Sequence, residues 1–131
     1  MKTREFPGSG SQLNVLGGHL LTCSDKPITG FFRDGCCNTS EEDFGSHTIC
    51  VLLTAEFLEY SKAGGNDLST PRPEYDFPGL QAGQRWCLCA ARWLEAYRDG
   101  KAPKVSLNST NQLALEIVPL AALKQYAIDL H

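Results

Sequence analysis

The strongest pattern along the chain lies at residues 46–53, Ser-His-Thr-Ile-Cys-Val-Leu-Leu, where β-branched and apolar side chains run over the length of a buried strand. This stretch predicts the central strand. Thr54 follows with a hydroxyl suited to capping an unpaired amide, Glu56 favours the positive end of a helix dipole, and Gly64-Gly65 offers a left-handed stop. Residues 55–63 therefore read as a helix marked at both ends. Residues 85–89, Arg-Trp-Cys-Leu-Cys, predict a strand, after which Ala90, Trp93, Leu94 and Tyr97 recur at the spacing of one helical face until Gly100. One continuous helix through Trp86, Cys87, Ala90, Trp93 and Leu94 competes with that reading, and strand then helix is preferred. Residues 104–107 and 113–118 predict two further strands. Pro119 suits the first turn of a last helix, with Leu120, Leu123 and Ala127 along one face.

Elsewhere the pattern breaks up. Residues 11–45 are punctuated by Gly17-Gly18, Pro27, Gly30, Asp34-Gly35 and Gly45, with room for short strands only at 13–16 and 30–33. The connection at 64–80 is longer than compact domains usually carry; Leu68, Tyr75, Phe77 and Leu80 either lid the core or frame a functional loop. No internal repeat or low-complexity tract is visible. The sum is an α+β fold: a small mixed or antiparallel sheet with about three helices and long irregular loops. It forms one globular domain over 13–131, behind a mobile tail at 1–12.

Composition narrows the setting. At 131 residues there is room for one core, and 42% hydrophobic with 21% charged residues is the balance of a folding chain rather than a disordered one. The longest apolar run, 49–53, falls far short of the roughly 20 residues that cross a membrane. The first residues carry Lys2 and Arg4 with no apolar stretch behind them, unlike a secretory signal. The expected location is the cytoplasm, where the six cysteines would stay as free thiols. A formal charge of −3 disfavours nucleic acid as a partner. The local excess of Arg85, Arg92, Arg98, Lys101 and Lys104 over Glu95 and Asp99 is explained equally well by a solvated helix face.

Candidate chemistry gathers around Cys23, Cys36, Cys37, His47, Cys50, Cys87 and Cys89, all soft or borderline metal ligands. If a metal is held, zinc at Cys36, Cys37, His47, Cys50, Cys87 and Cys89 is the candidate site. No cofactor is favoured, because the paired Cys-x-x-Cys or His-x-x-x-His spacing of structural zinc sites is missing. Period-two alternation also places His47, Ile49 and Val51 on one face and Cys50 on the other. For catalysis, Cys36, Cys37, Cys87 and Cys89 are the candidate thiols, with Arg33 or Arg85 as the cation that would lower a thiol pKa and His47 as the base. Buried free cysteines acting as small hydrophobes are the competing explanation. Asn66, Asp67, Ser69, Thr70 and Arg72 form a polar loop stiffened by Pro71 and Pro73, suited to a small polar or anionic ligand or to plain turn chemistry. No nucleophile elbow, phosphate loop or dinucleotide fingerprint occurs.

Four stretches together carry a resemblance: Thr-Gly-Phe-Phe-Arg-Asp-Gly-Cys-Cys at 29–37, Gly-Ser-His-Thr-Ile-Cys at 45–50, Gly-Asn-Asp-Leu-Ser-Thr-Pro at 65–71 and Arg-Trp-Cys-Leu-Cys-Ala-Ala-Arg-Trp at 85–93. With them the chain resembles the uncharacterised family known as domain of unknown function 2237, from about Asn14 to Ala127. The resemblance implies no activity, substrate or cofactor. The stretches that carry it coincide with the cysteines, His47, Arg33, Asp34, the long loop and Arg85-Trp86, whose convergence in space is a hypothesis. Three functions follow as expectations, in order: a binding or interaction domain for a small polar or anionic ligand or a protein partner; a cysteine-based enzyme, thiol-redox or metal-dependent; and a structural or homo-oligomer-forming subunit with an exposed apolar patch.

Overall fold

The computed structural model describes residues 12–130. The tail expected over 1–12 lies outside them except for Gln12, which is buried and hydrogen-bonded through its side chain to the backbone of Thr39. The elements run β1 (His47–Leu52), α1 (Ala55–Ala63), β2 (Arg85–Cys89), α2 (Ala90–Arg98), β3 (Lys104–Val105) and α3 (Leu120–Gln125). Short 3-10 turns lie at Pro73–Tyr75, Leu107–Ser109 and Gln112–Glu116. The three strands make one antiparallel sheet in the order β2-β1-β3, so the strand expected to be central is central. No helix among the described residues is long and apolar enough to cross a membrane.

The best-marked helix begins where its cap is: Thr54 Oγ1 accepts from Phe57 N at 3.1 Å. It ends at Gly64 and Gly65, the latter at φ +94°. One face of the sheet carries Ile49, Val51, Trp86 and Leu88, which join Phe57 of α1, Trp93 of α2 and Leu123 of α3 in the main core. Trp93 is fully buried, stacks on Tyr97 at 5.4 Å and donates from Nε1 to the Pro103 carbonyl at 3.2 Å.

Three expected strands are not continuous strands. Residues 13–16 contribute only isolated bridges, Leu13 to His19 and Asn14 to Asn111. Residues 30–33 cannot extend, because Gly30 and Arg33 both hold positive φ, +99° and +54°. Residues 113–116 lie instead in the 3-10 turn Gln112–Glu116, since the Asn111 side chain accepts from Leu113 N at 2.9 Å while the Asn111 backbone amide is tied to the Thr48 carbonyl. The strand expected at 104–107 is shorter, confined to Lys104–Val105, and gives way to the 3-10 turn at Leu107–Ser109.

The opposite face of the sheet is covered by residues 12–46, which hold no helix or strand among the described residues. Cys50 and Cys87, opposite one another in the β1–β2 register, point into this layer. Each is joined to a cysteine of the layer: Cys23 to Cys50 and Cys37 to Cys87. This corrects the expectation of six free thiols, and only Cys36 and Cys89 are free.

Candidate functional site

The segment Thr29–Cys37 shows why its residues stand in that order. Thr29 is buried, and its hydroxyl accepts the Cys87 amide at 2.8 Å, docking the segment on the outer edge of β2. At Gly30 a β-carbon would run into the Cys36 carbonyl, so only glycine lets the chain double back there. Arg33 then adopts the left-handed region that a non-glycine residue enters at a cost, and donates from Nη1 to the Gly30 carbonyl. Asp34 closes the turn through Oδ1, which accepts the Cys36 amide at 3.1 Å, and Cys37 completes the cross-link to Cys87.

That turn aims the Arg33 guanidinium over Trp86, 5.1 Å from the ring centroid. A cleft of about 380 Å³ opens there between the segment at 29–33 and the long loop at 64–80. Its walls are Phe31, Leu68, Tyr75, Phe77 and Trp86, and its charged groups are Arg33 and Arg72, with His47 and Cys87 beside them. Phe77 meets Trp86 edge to face at 5.5 Å, fixing the apolar wall. A second hollow of about 440 Å³ continues it past Pro27, Ile28, Asp76 and Pro78 and shares Arg33, Tyr75, Phe77 and Trp86. Among the described residues neither Arg33 nor Arg72 pairs with a carboxylate.

His47 enters this cleft through an irregularity. The β1–β2 register slips between His47 and Ile49, which sets His47 opposite Cys89 and so on the side of Cys50 and Cys87 rather than with Ile49 and Val51. Strict alternation would place it on the other face. Its Nδ1 lies 2.7 Å from Asp43 Oδ1; the Asp43 side chain is 1% exposed and also accepts from Thr39 Oγ1 and from the His47 amide. This carboxylate fixes the ring and leaves Nε2 available at the cleft.

A family model described as an uncharacterized protein conserved in bacteria, domain of unknown function 2237, matches residues 13–127. The chain belongs to this family. No curated protein matches the chain. The span matched to the domain of unknown function 2237 takes in every residue of the cleft and all six cysteines.

Of the residues expected at a ligand site, Arg33 and Arg72 line the cleft, whereas Asp34, Asn66, Asp67, Ser69, Thr70 and Arg85 do not. Asp67 is spent on its own turn, accepting from the amides of Ser69 and Thr70 and from Thr70 Oγ1 at 2.6 Å, contacts that hold its carboxyl below the usual range. Asn66 binds Ser61 through its backbone, and Arg85 pairs in register with Leu52.

The expected thiol chemistry changes as well. Cys37, Cys50 and Cys87 are disulfide-bonded, so neither Arg33 nor Arg85 has a thiol of theirs to acidify. Cys36 Sγ lies 3.9 Å from Thr22 Oγ1, and burial, with Asp34 and Asp25 nearby, pushes its thiol up rather than down. Cys89 sits at the start of α2. Cys36, Cys89 and His47 do not join the remaining sulfurs, and the group that does converge is Cys23, Cys37 and Cys87, with Cys50 bonded to Cys23. Asp43 was missed altogether; its signal is an acid four residues before a histidine, across the tight turn that Gly45 allows.

Proposed function

We propose that the domain binds a small anionic ligand with an aromatic or apolar body in the cleft between residues 29–33 and 64–80. The observation that carries this is the pair of arginines, Arg33 and Arg72, without carboxylate partners among the described residues, in a cleft walled by Phe31, Tyr75, Phe77 and Trp86. Guanidinium groups offer forked donors that match carboxylate or phosphate oxygens, and the rings supply stacking area. The volume suits a small-molecule site. His47, braced by Asp43, adds a third polar contact at the same wall. The cytoplasm is the proposed setting, where the two disulfides would be the oxidised state of a reducible set.

Titration calorimetry with phenyl phosphate, benzoate and uncharged phenol tests the reading. Saturable binding of an anion and not of phenol is expected, with Arg33→Ala and Arg72→Ala each weakening it about 10- to 100-fold, the equivalent of one charged hydrogen-bond contact. Equal affinity in the doubly substituted protein, or no saturable binding of either anion, would overturn it. The Asp43–His47 couple favours a second reading, in which Nε2 removes a proton from the bound molecule. That reading requires ligand to be consumed during incubation and requires His47→Gln to stop the consumption even at saturating ligand, with binding weakened by no more than the loss of one polar contact.

A further inference from the structure

Two disulfides lie side by side on the back of the sheet, closer than cross-linking alone requires. The sulfurs of Cys23, Cys37 and Cys87 all lie within 4.8 Å of one another, Cys50 is bonded to Cys23, and all four residues are at most 5% exposed. Cys50 and Cys87 are cross-strand partners, so the cluster stands on two paired positions of β1 and β2 and is closed from above by two loop cysteines. A tetrahedral zinc tetrathiolate, with bonds of about 2.3 Å, needs its sulfurs about 3.8 Å apart. Such a site requires rotation about the cysteine χ angles, that of Cys50 above all, to close the remaining difference once the sulfur–sulfur bonds are open.

The backbone under each sulfur is held independently of those bonds. Cys23 N donates to the Gly35 carbonyl at 2.7 Å, Cys50 N to Thr110 Oγ1 at 3.1 Å and Cys87 N to Thr29 Oγ1 at 2.8 Å, while the Cys37 carbonyl accepts from Asn111 Nδ2 at 3.0 Å. Reduction leaves these hydrogen bonds to keep the four thiols near one buried pocket while the loop layer loosens, and a bound ion would restore the cross-link. We infer that Cys23, Cys37, Cys50 and Cys87 form a redox-exchangeable site that holds a thiophilic divalent ion, zinc above all, when the chain is reduced, and two disulfides when it is oxidised. The cluster adjoins the ligand cleft through Cys87, and the inference does not depend on the ligand reading.

The electrons balance with a dithiol as reductant and a small-molecule disulfide as oxidant. Two equivalents of a dithiol open both cysteine disulfides, each dithiol leaving as its own cyclic disulfide and each opened bond gaining two protons. The zinc ion then replaces four protons to give a dianionic tetrathiolate. In reverse, two equivalents of the small disulfide take four electrons and four protons to become four thiols, both cysteine bonds reform, and the ion leaves.

The test uses the full chain carrying Cys36→Ser and Cys89→Ser, so that only the four clustered thiols remain. The protein is reduced with a phosphine, freed of reductant without oxygen, and titrated with cobalt(II) and then zinc(II). Saturation at about one ion per chain is expected, with thiolate-to-cobalt charge transfer and tetrahedral visible bands that zinc bleaches, as for other four-cysteine sites. Bound zinc should slow alkylation of all four thiols about tenfold or more, and a small disulfide should release the ion. A cobalt spectrum seen in the unsubstituted chain but lost in the Cys36→Ser/Cys89→Ser protein, no saturable spectrum at all, or an unchanged alkylation rate would each overturn the site. So would undiminished binding after the further change Cys23→Ser.

Discussion

On one face of the sheet, Ile49, Val51, Trp86 and Leu88 meet α1, α2 and α3 through large apolar side chains, and Trp93 is packed to zero exposure. On the other, Cys50 and Cys87 meet residues 12–46, where regular structure is missing and the buried residues include Gln12, Asn14, Thr29, Asn38 and Thr39. The first face needs only hydrophobic burial, worth about 1.5–3 kcal/mol for each large side chain. The second must satisfy its backbone with side chains, as Thr29 and Asn111 do, and offsets its thin apolar content with two covalent links. The cleft forms where the two constructions meet at the edge of β2. One layer gives it Phe31 and Arg33, and Trp86 reaches it from the other.

The sharpest way to separate the two constructions is to damage each in turn. Trp93→Ala should cost about 3–5 kcal/mol and lower the urea midpoint of the whole domain, because its ring is shared by Tyr97 and Tyr126. Replacing Cys37 and Cys87 together by serine should cost about 2–4 kcal/mol, with amide exchange rising across 12–46 while β1 and α2 remain protected. Uniform acceleration would mean that the two layers are one cooperative unit. Asn111→Ala should cost about 1–3 kcal/mol, since this 1% exposed amide ties Cys37 and Gln12 to the turn at Leu113.

The smallest effect concerns acid. Asp129 works against its own partial burial, yet the amides of Asn108 and Leu107 and the Ser106 hydroxyl hold its carboxyl below the usual range. A depressed folded pKa contributes stability in full above the unfolded carboxylate value, about 3.9, and that contribution is lost as pH falls through the folded value. Urea midpoints measured from pH 6 downward should therefore fall less steeply on the acid side in Asp129→Asn than in the unchanged chain.

How much was legible in the sequence differs between the same two regions. The bounds of β1, α1, β2 and α2 follow from apolar runs, Thr54, Gly64 and Gly100, because local signals and burial agree there. Residues 113–118 misled: Leu113, Leu115 and Ile117 alternate like a strand, but Leu115 and Ile117 are exposed and Asn111 bends the chain into a 3-10 turn. In the loop layer no period exists to be read. Which cysteine meets which depends on contacts 27 and 50 residues apart, and the side on which His47 stands depends on a one-residue slip in pairing. Arg33 and Arg72 were visible as candidates by their chemistry. Phe31 was legible only as part of a short strand, Tyr75 and Phe77 as either a core lid or the frame of a functional loop, and Asp43 not at all. The outcome is mixed: Phe77 packs on the core, whereas Tyr75 stands 79% exposed at the mouth of the cleft.

The measurement that bears most directly on the account is the affinity for phenyl phosphate before and after both disulfides are reduced with a phosphine, with a chelator present to exclude metal. If the cross-links hold Arg33 over Trp86, reduction should weaken binding about tenfold or more while the helical circular dichroism persists, since the cost of ordering the loop is then met on binding. Unchanged affinity on reduction, or no binding in either state, would contradict it.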